Sequence, residues 1–246
     1  MNFNRHAKRF FYLVSASLIS LILTCFVSTA YAAFQIDKVR SFLSVNNPID
    51  TFKVTNSGKD NAVDLQGEIM AWTQNNGVDV LKPTTDIILS PPIMHIPPLK
   101  TQLIRIGLRT PTPLQVEKTY RFFLQEITKL APLTQTGVRV KVRLSIPIFV
   151  MPTNPSYLLD WNIKNLSGKT LTINVKNVGN VHVQIISANL KTDDGTIVGS
   201  SPTKGLYLLA GQNRDIAFTM TNTNVKNVTL NADTDYVPMQ ANLTLP

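Results

Sequence analysis

The stretch that decides the fold is Gly137 to Pro152, GVRVKVRLSIPIFVMP. From Val138 onward every second residue is apolar, and the positions between them begin with the cations Arg139, Lys141 and Arg143. A period of two that is sustained over so many residues predicts a β-strand with one apolar and one cationic side. In extended conformation such a strand would span roughly 40 Å, about twice the usual strand length.

A strand this long is expected to bend or to extend beyond its own sheet. Pro147 lies inside it, and because proline has no backbone N–H for a ladder, this residue suits a sheet edge or a bulge. On pattern alone, two interpretations of the apolar side stay open. Either all of it is the core of an ordinary sandwich strand, or part of it is presented to a partner protein.

The first 32 residues have the pattern of a secretory signal peptide. They contain, in order, a basic start, an apolar run and a small-x-small cleavage site: Arg5, Lys8 and Arg9; residues 12–27; and Ala30-Tyr31-Ala32. We therefore expect export and cleavage before Ala33. The apolar run is short for a bilayer span, which needs roughly 20 residues, although an uncleaved anchor is the alternative. The single cysteine, Cys25, lies in this run, so the exported chain is expected to fold without a disulfide.

The charge of the chain favours acidic partners. The net charge of +9 falls to +6 when the three cations of the signal segment are removed. A surplus of this size suits carboxylates, and no DNA- or RNA-binding motif accompanies it, so nucleic acid is not an expected partner. Downstream of the signal there is no second long apolar segment, so the exported chain is not expected to be embedded in a membrane.

After the signal, short alternating runs and turn signals follow each other at spacings of roughly ten residues. About seven such runs precede residue 150, which is typical of an immunoglobulin-like sandwich. The double-proline segment Met151–Pro155 then breaks the pattern, and a second set of short strands follows. The sequence thus predicts an all-β chain of two domains, residues 33–150 and 158–246, joined by a linker at 151–157.

The sequence shows no motif of catalysis or metal binding. His95 and His182 are isolated from other ligand-type residues and are expected to be surface or turn residues. No HExxH, GxSxG or glycine-rich phosphate loop is present. The acidic pairs near Asp194 and Asp235 are explained by a turn and a strand end. We therefore expect no catalytic residue, metal or cofactor, and a binding or assembly protein rather than an enzyme.

Several segments resemble the periplasmic pilus-assembly chaperones of the chaperone–usher pathway. The resemblance covers essentially the whole exported chain and is weaker in its second half, where only NADTDY (231–236) carries it. The segments in the first half are FQIDKVR (34–40), VTNSGKDNAVDLQGEIMAWTQNNG (54–77), IILSPPIMHIPPLKTQLIRIGLR (87–109), TYRFFLQEI (119–127) and LSIPIFVMP (144–152).

The resemblance implies two immunoglobulin-like domains set at an angle and a periplasmic location. It also implies the partners, which are pilus subunits and an outer-membrane usher, with no small-molecule substrate and no ATP. In this family the chaperone donates its long strand to a subunit that lacks the last strand of its own sandwich. The residues that would form the donated apolar row here are Val138, Val140, Val142, Leu144 and Ile146.

Two further sites follow from the resemblance. The family holds the terminal carboxylate of the subunit with an arginine, which Arg40 matches, and a lysine, whose position falls on Pro147. The alternative for Arg40 is an ordinary surface cation on an edge strand, and Pro147 is a departure from the family pattern. An ion cluster that fixes the angle between the domains is implied at Arg105, Glu117 and Asp235. Three unrelated surface charges would be the simpler interpretation, since isolated surface pairs contribute little.

Two rival classes remain open from sequence. An exported fibre subunit or adhesin would share the fold, but it usually carries a donor extension at its start and often a disulfide, and neither is evident. A secreted carbohydrate-binding or hydrolytic sandwich would need clustered exposed aromatics or paired carboxylates, which do not stand out.

Overall fold

The computed structural model describes residues 34–127 and 141–246, and in these ranges every regular element is a β-strand. The strands of the first half are β1 (Phe34–Ile36), β2 (Ser41–Leu43), β3 (Ile49–Asn56), β4 (Val63–Asn75), β5 (Val78–Pro83), β6 (Ile87–Ser90), β7 (Ile93–Ile96), β8 (Thr101–Leu108), β9 (Lys118–Glu126) and β10 (Arg143–Val150). The strands of the second half are β11 (Leu159–Ser167), β12 (Thr170–Asn177), β13 (Val183–Lys191), β14 (Ile197–Ser200), β15 (Leu206–Leu208), β16 (Asn213–Met220), β17 (Asn227–Thr234) and β18 (Met239–Thr244).

The first ten strands form two sheets that face each other. One has the order β1-β3-β8-β6, and the other has the order β2-β10-β9-β4-β5 with β7 added to β4. Along β9 and β3 the buried residues alternate with exposed or half-buried ones, as expected for strands with one face on a core. Phe52 and Phe122, one from each sheet, are fully buried with ring centroids 5.3 Å apart, so the core of this sandwich lies between the sheets.

The strands from β11 onward form one continuous sheet that folds around a second core. Its order is β11-β12-β16-β14-β13-β17-β18, with β15 paired to β13. The short strand β14 pairs with both β13 and β16, so it connects the two layers. Trp161, Ile173 and Phe218 are among the residues buried in this core. The two halves therefore bury separate cores, and β10 ends at Val150 while β11 begins at Leu159.

Most of the expected strands are present within a residue or two, with two differences. The strands β2 and β15 are not predicted by the sequence pattern, because three residues are too few to show alternation. The long strand is shorter than the pattern suggested: it begins at Arg143, and residues 128–140 lie outside the described residues. Within the described part of the chain, no helix has the length and apolar character needed to cross a bilayer.

Candidate functional site: the open edge of β10 and the interdomain cleft

The strand β10 is paired along its whole length on one side and only at its end on the other. It runs antiparallel to β9 from Arg143 to Val150. On its other side the three-residue strand β2 covers only Ile148–Val150, in parallel. Among the described residues, the first five residues of β10, 143–147, therefore have a paired strand on one side only, and we call this segment the open edge.

The hydrogen bonds at the two ends of β10 show which residues direct their backbone toward the open edge. The N–H of Glu126 donates to the carbonyl of Val142 at 3.0 Å, and the N–H of Met151 donates to the carbonyl of Leu43 at 2.8 Å. Because hydrogen bonding alternates along an antiparallel pair, even-numbered residues of β10 bond β9 and odd-numbered ones face β2 or the open edge. The backbone groups of Arg143, Ser145 and Pro147 thus face outward along the open edge.

This alternation explains how proline is accommodated in the middle of a sheet. The N–H that Pro147 lacks would have pointed to the open edge, so its absence costs no bond to β9. Proline also removes a donor from this edge just before the residues that pair with β2, which begins at Ser41 opposite Ile148. Along the open edge of the described residues, the N–H donors of Arg143 and Ser145 remain without a paired strand.

The apolar row that the resemblance implied is only partly available to a partner. Val138 and Val140 lie outside the described residues. Val142 and Leu144 are half-buried and pack against the edge of the first core, so each keeps some apolar surface exposed. Ile146 was included in the donated row, and here the expectation needs correction. It is only 3% exposed and belongs to the protein's own core, since β10 has by then entered the sandwich.

The other face of β10 meets the second domain. Phe149 and Trp72 project from the outward face of the six-stranded sheet and pack against Leu209, and all three are at least 95% buried. Tyr207 packs against this cluster, with its ring edge on Trp72 at 5.5 Å. Gln74 ties the same surfaces together, because its side chain donates to the carbonyl of Tyr207 and accepts from the N–H of Leu209, both at 3.0 Å.

Arg121 lies on the outward face of β9 beside this aromatic cluster. Its guanidinium carbon is 3.7 Å from the ring centroid of Trp72 and 5.5 Å from that of Tyr207, which is the geometry of a cation–π contact. Burial lowers the pKa of Arg121, while the nearby Asp79 opposes this shift. In the part of the chain that the structure describes, no carboxylate lies within salt-bridge distance of Arg121, so its charge is half-buried without a directly bonded counter-ion.

Arg121 lines a cleft of about 400 Å³ between the two sandwiches. Its other charged lining residues are Asp79 from β5 and Lys204 and Arg214 from the second domain. Three cations against one carboxylate make the cleft positive, so it is suited to an anionic group. Within the sheet, Arg121 is the direct cross-strand partner of Pro147, and the two form a non-hydrogen-bonded pair, in which side chains are closest.

Arg40, the expected carboxylate anchor, bridges the two domains. It follows β1 and donates to Asp235 at 3.1 Å and to Gln184 at 3.3 Å, both in the second domain. The side chain of Arg40 remains 36% exposed, so part of the guanidinium can still meet an incoming group. Its role as an anchor stays a prediction, and the structure adds an interdomain contact to it.

The interdomain ion cluster has a different composition from the one the resemblance implied. Glu117 and Asp235 do come together, but the residue between them is His182, not Arg105. The Nδ1 of His182 is 2.8 Å from Glu117 Oε2, and its Nε2 is 3.5 Å from Asp235 Oδ2. Arg105 lies exposed on β8, opposite Thr51. Its position on the outward face of the four-stranded sheet keeps it out of this cluster.

The expectation that His182 is a surface or turn residue is also wrong. The residue is 0% exposed, and its ring stacks on Phe149 with centroids 3.4 Å apart and planes 9° apart. The other histidine, His95, is exposed on β7, with its Nδ1 2.6 Å from Asp64.

A family model described as the pili and flagellar-assembly chaperone, PapD N-terminal domain, matches residues 33–156. The chain belongs to this chaperone family. No curated protein matches the chain by sequence.

The chain is also similar in fold to solved structures of pilus chaperones and their complexes. A chain of the Acinetobacter baumannii CsuC–CsuE chaperone–tip adhesion subunit complex is 19% identical, with a TM-score of 0.63 over 87% of this chain and 100% of that one. A chain of the Salmonella enterica SafA pilin–SafB chaperone complex is 13% identical, with a TM-score of 0.60 over 88% and 99%. The Pseudomonas aeruginosa CupB2 chaperone is 17% identical, with a TM-score of 0.56 over 86% and 100%. The all-β fold of two immunoglobulin-like sandwiches is thus confirmed.

Sequence reasoning missed three residues of this chaperone's cleft: Arg121, Gln74 and His182. Arg121 lies in a segment that carried the family resemblance, and the signal that could have singled it out is the missing lysine at Pro147. Identifying Arg121 would have required knowing the register between β9 and β10, which places it opposite Pro147. Gln74 and His182 gave no signal, because a polar residue in a strand or just before one is ordinarily solvated, and only the packing of the two domains against each other buries these two.

Proposed function

We propose that the protein is a periplasmic chaperone that binds pilus subunits by donor-strand complementation at the open edge of β10 and delivers them to an outer-membrane usher. The observation that carries this proposal is the edge at 143–147, which no strand of residues 34–127 or 141–246 pairs, in a strand that is otherwise paired on both sides. An exposed strand edge binds another strand through its free N–H and C=O groups, and proteins usually cover or interrupt such edges. Here no strand in the described part of the chain pairs with the edge before Pro147.

The side chains next to the edge suit a partner with an incomplete core. Val142 and Leu144 are on the core-facing side of β10 and are only half-buried by the protein itself. A subunit strand that pairs with the open edge would continue the sheet, and its own apolar groove would cover these residues. Burying one such side chain contributes roughly 1.5–3 kcal/mol before the cost of ordering the partner is subtracted.

The cleft suits the terminal carboxylate of the subunit. Arg121 is the cation that takes the place of the family's lysine, since it is the cross-strand neighbour of Pro147 and has no bonded carboxylate among the described residues. A guanidinium binds a carboxylate through two parallel hydrogen bonds, and a partly buried site strengthens them. Arg40 would assist from the domain boundary, because its guanidinium bonds Asp235 through one nitrogen and stays partly exposed.

The test is capture of subunits from a periplasmic extract, followed by mass spectrometry, after melting curves have shown which variants fold. Val142→Asp is expected to abolish capture of small exported β-rich subunits, because a carboxylate would enter an apolar groove without a partner. Its control is Leu81→Asp on β5, at the opposite edge of the same sheet, which should capture normally. Equal capture by the two variants would contradict the assignment of the open edge.

The carboxylate site is tested separately with Arg121→Gln. We expect weaker capture than wild type, because one charged hydrogen-bond partner is lost. Arg143→Gln is the matched control: it removes a cation from the same face of the sheet, one that lies over Phe123 at 4.3 Å. If the Arg143 variant loses capture and the Arg121 variant does not, the carboxylate site has been assigned to the wrong cation.

A further inference from the structure

His182 is the point at which both domains converge on one side chain. Its Nδ1 and its own backbone N–H both bond the carboxylate of Glu117, at 2.8 Å each to Oε2. Its ring lies on Phe149 of the first domain, and its Nε2 faces Asp235 and Tyr236 of the second. Because a carboxylate can only accept, the Nδ1 must carry a proton in this arrangement.

The charged side chains around the imidazole ring have a net negative charge, which a protonated imidazole would neutralise. Two carboxylates, Glu117 and Asp235, face the imidazole, and one cation, Arg40, reaches the cluster through Asp235. Among the described residues, the other rings that contact the imidazole are those of Phe42, Phe149, Tyr207 and Tyr236, which carry no charge near neutral pH. With a protonated imidazole the buried cluster is neutral, and with a neutral imidazole it holds one uncompensated negative charge.

We propose that His182 is a positioning residue whose proton holds the two domains together, so that the cleft opens when the proton is lost at alkaline pH. The contact is a boundary between two separately buried cores, so each domain can stay folded when it loosens. The inference rests on the proposed function only in one respect, the binding of subunits in the cleft. The contact between the domains can be measured without any subunit.

The direction of the pH effect follows from the environment of the ring. Burial alone would lower the pKa of His182, but hydrogen bonds and charges from Asp235 and Glu117 outweigh it and the pKa is raised. A group with a raised folded-state pKa stabilises the structure fully below its unfolded value of about 6.5. That contribution is lost as the pH rises through the folded-state pKa. Asp235 has its pKa lowered in the same cluster, so it remains charged over this range.

The experiment uses Trp72 as a reporter of the contact, because it is 1% exposed and lies between the domains. In a Trp161→Phe background it is the only tryptophan. A further change of His95→Gln leaves His182 as the only histidine in residues 34–246, so NMR can follow its titration without ambiguity. We expect acrylamide quenching of Trp72 to rise with pH, with the same midpoint as the deprotonation of His182.

The variant His182→Gln can still donate to Glu117 but has no charge at any pH. We expect its Trp72 to be quenched at pH 6 as strongly as that of the parent protein at high pH, with no further change on titration. If this variant retains the parent's pH midpoint, or if His182 loses its proton while Trp72 stays protected, the proposal is overturned. The NMR measurement on the protein with native His182 keeps the test decisive should the variant not fold. If the wild-type protein captures no subunit, while the quenching of Trp72 still rises with the deprotonation of His182, the proposed function is refuted and this inference stands.

Discussion

Phe149 and Ile148 are adjacent in β10 but face different cores, so truncating each to alanine should have distinct consequences. Ile148 is 0% exposed within the core of the first sandwich, whereas Phe149, also 0% exposed, belongs to the cluster between the domains. Phe149 contacts the rings of His182, Phe42, Trp72 and Tyr207 at centroid distances of 3.4 to 6.3 Å. Phe149→Ala therefore removes the centre of the interdomain contact and leaves both sandwich cores intact.

The magnitude follows from the burial of the ring. Truncating a fully buried phenylalanine costs about 3–5 kcal/mol, and truncating a buried isoleucine about 2–5 kcal/mol. In Phe149→Ala this loss falls on the contact between the domains. Because about 1.4 kcal/mol is a factor of ten, the population with separated domains should rise roughly a hundredfold or more. In Ile148→Ala the loss falls on the stability of the first sandwich.

Nitrogen-15 relaxation distinguishes the two cases, since it reports how each domain tumbles. Wild type and Ile148→Ala should show one correlation time for both domains, even though Ile148→Ala unfolds at lower denaturant concentration. Phe149→Ala should show shorter and unequal correlation times for the two domains. The reasoning would be refuted if Phe149→Ala tumbled as a single body and kept Trp72 protected from quenching.

Two further predictions concern the linker and the start of the chain. Gly179→Ala should strongly lower the melting temperature, because an added Cβ would lie 2.2 Å from the carbonyl oxygen of Ser156. The control is Gly168→Ala, which has open space around it and a φ of 55°, so it should cost only the strain of a left-handed residue. Similar melting temperatures for the two variants would contradict the packing described for Gly179. N-terminal sequencing of the exported protein should begin at Ala33, as the signal pattern predicts; an intact first residue in the membrane fraction would show that the segment is an uncleaved anchor.

The strands could be predicted from sequence because each carries its own local signal. Turn residues such as Asn76 and Gly77, both with positive φ, mark the hairpin between β4 and β5. The site could be predicted only in part, because it depends on which strands become neighbours. Glu117 and Asp235 were identified through resemblance, but their partner His182 is determined by the packing of β13 against the first domain. The same limit applies to Ile146, whose alternation is identical to that of Leu144 although one is core and the other half-exposed.

Pro147 lies where the family resemblance implies a lysine, and this difference has two separate effects, one on the backbone and one on charge. On the backbone, proline removes an outward N–H next to the residue where β2 begins, which limits the donors available to a pairing strand to Arg143 and Ser145 along the described edge. On charge, it removes a cation from the outward face of β10. A non-hydrogen-bonded cross-strand pair brings two side chains close enough to share one site, since their Cα atoms are about 4.5 Å apart. A cation on β9 at Arg121 can therefore serve the position that proline has vacated. We infer that this chaperone keeps a positive group in its cleft by placing it one strand over, while the proline defines where the edge available to a subunit ends.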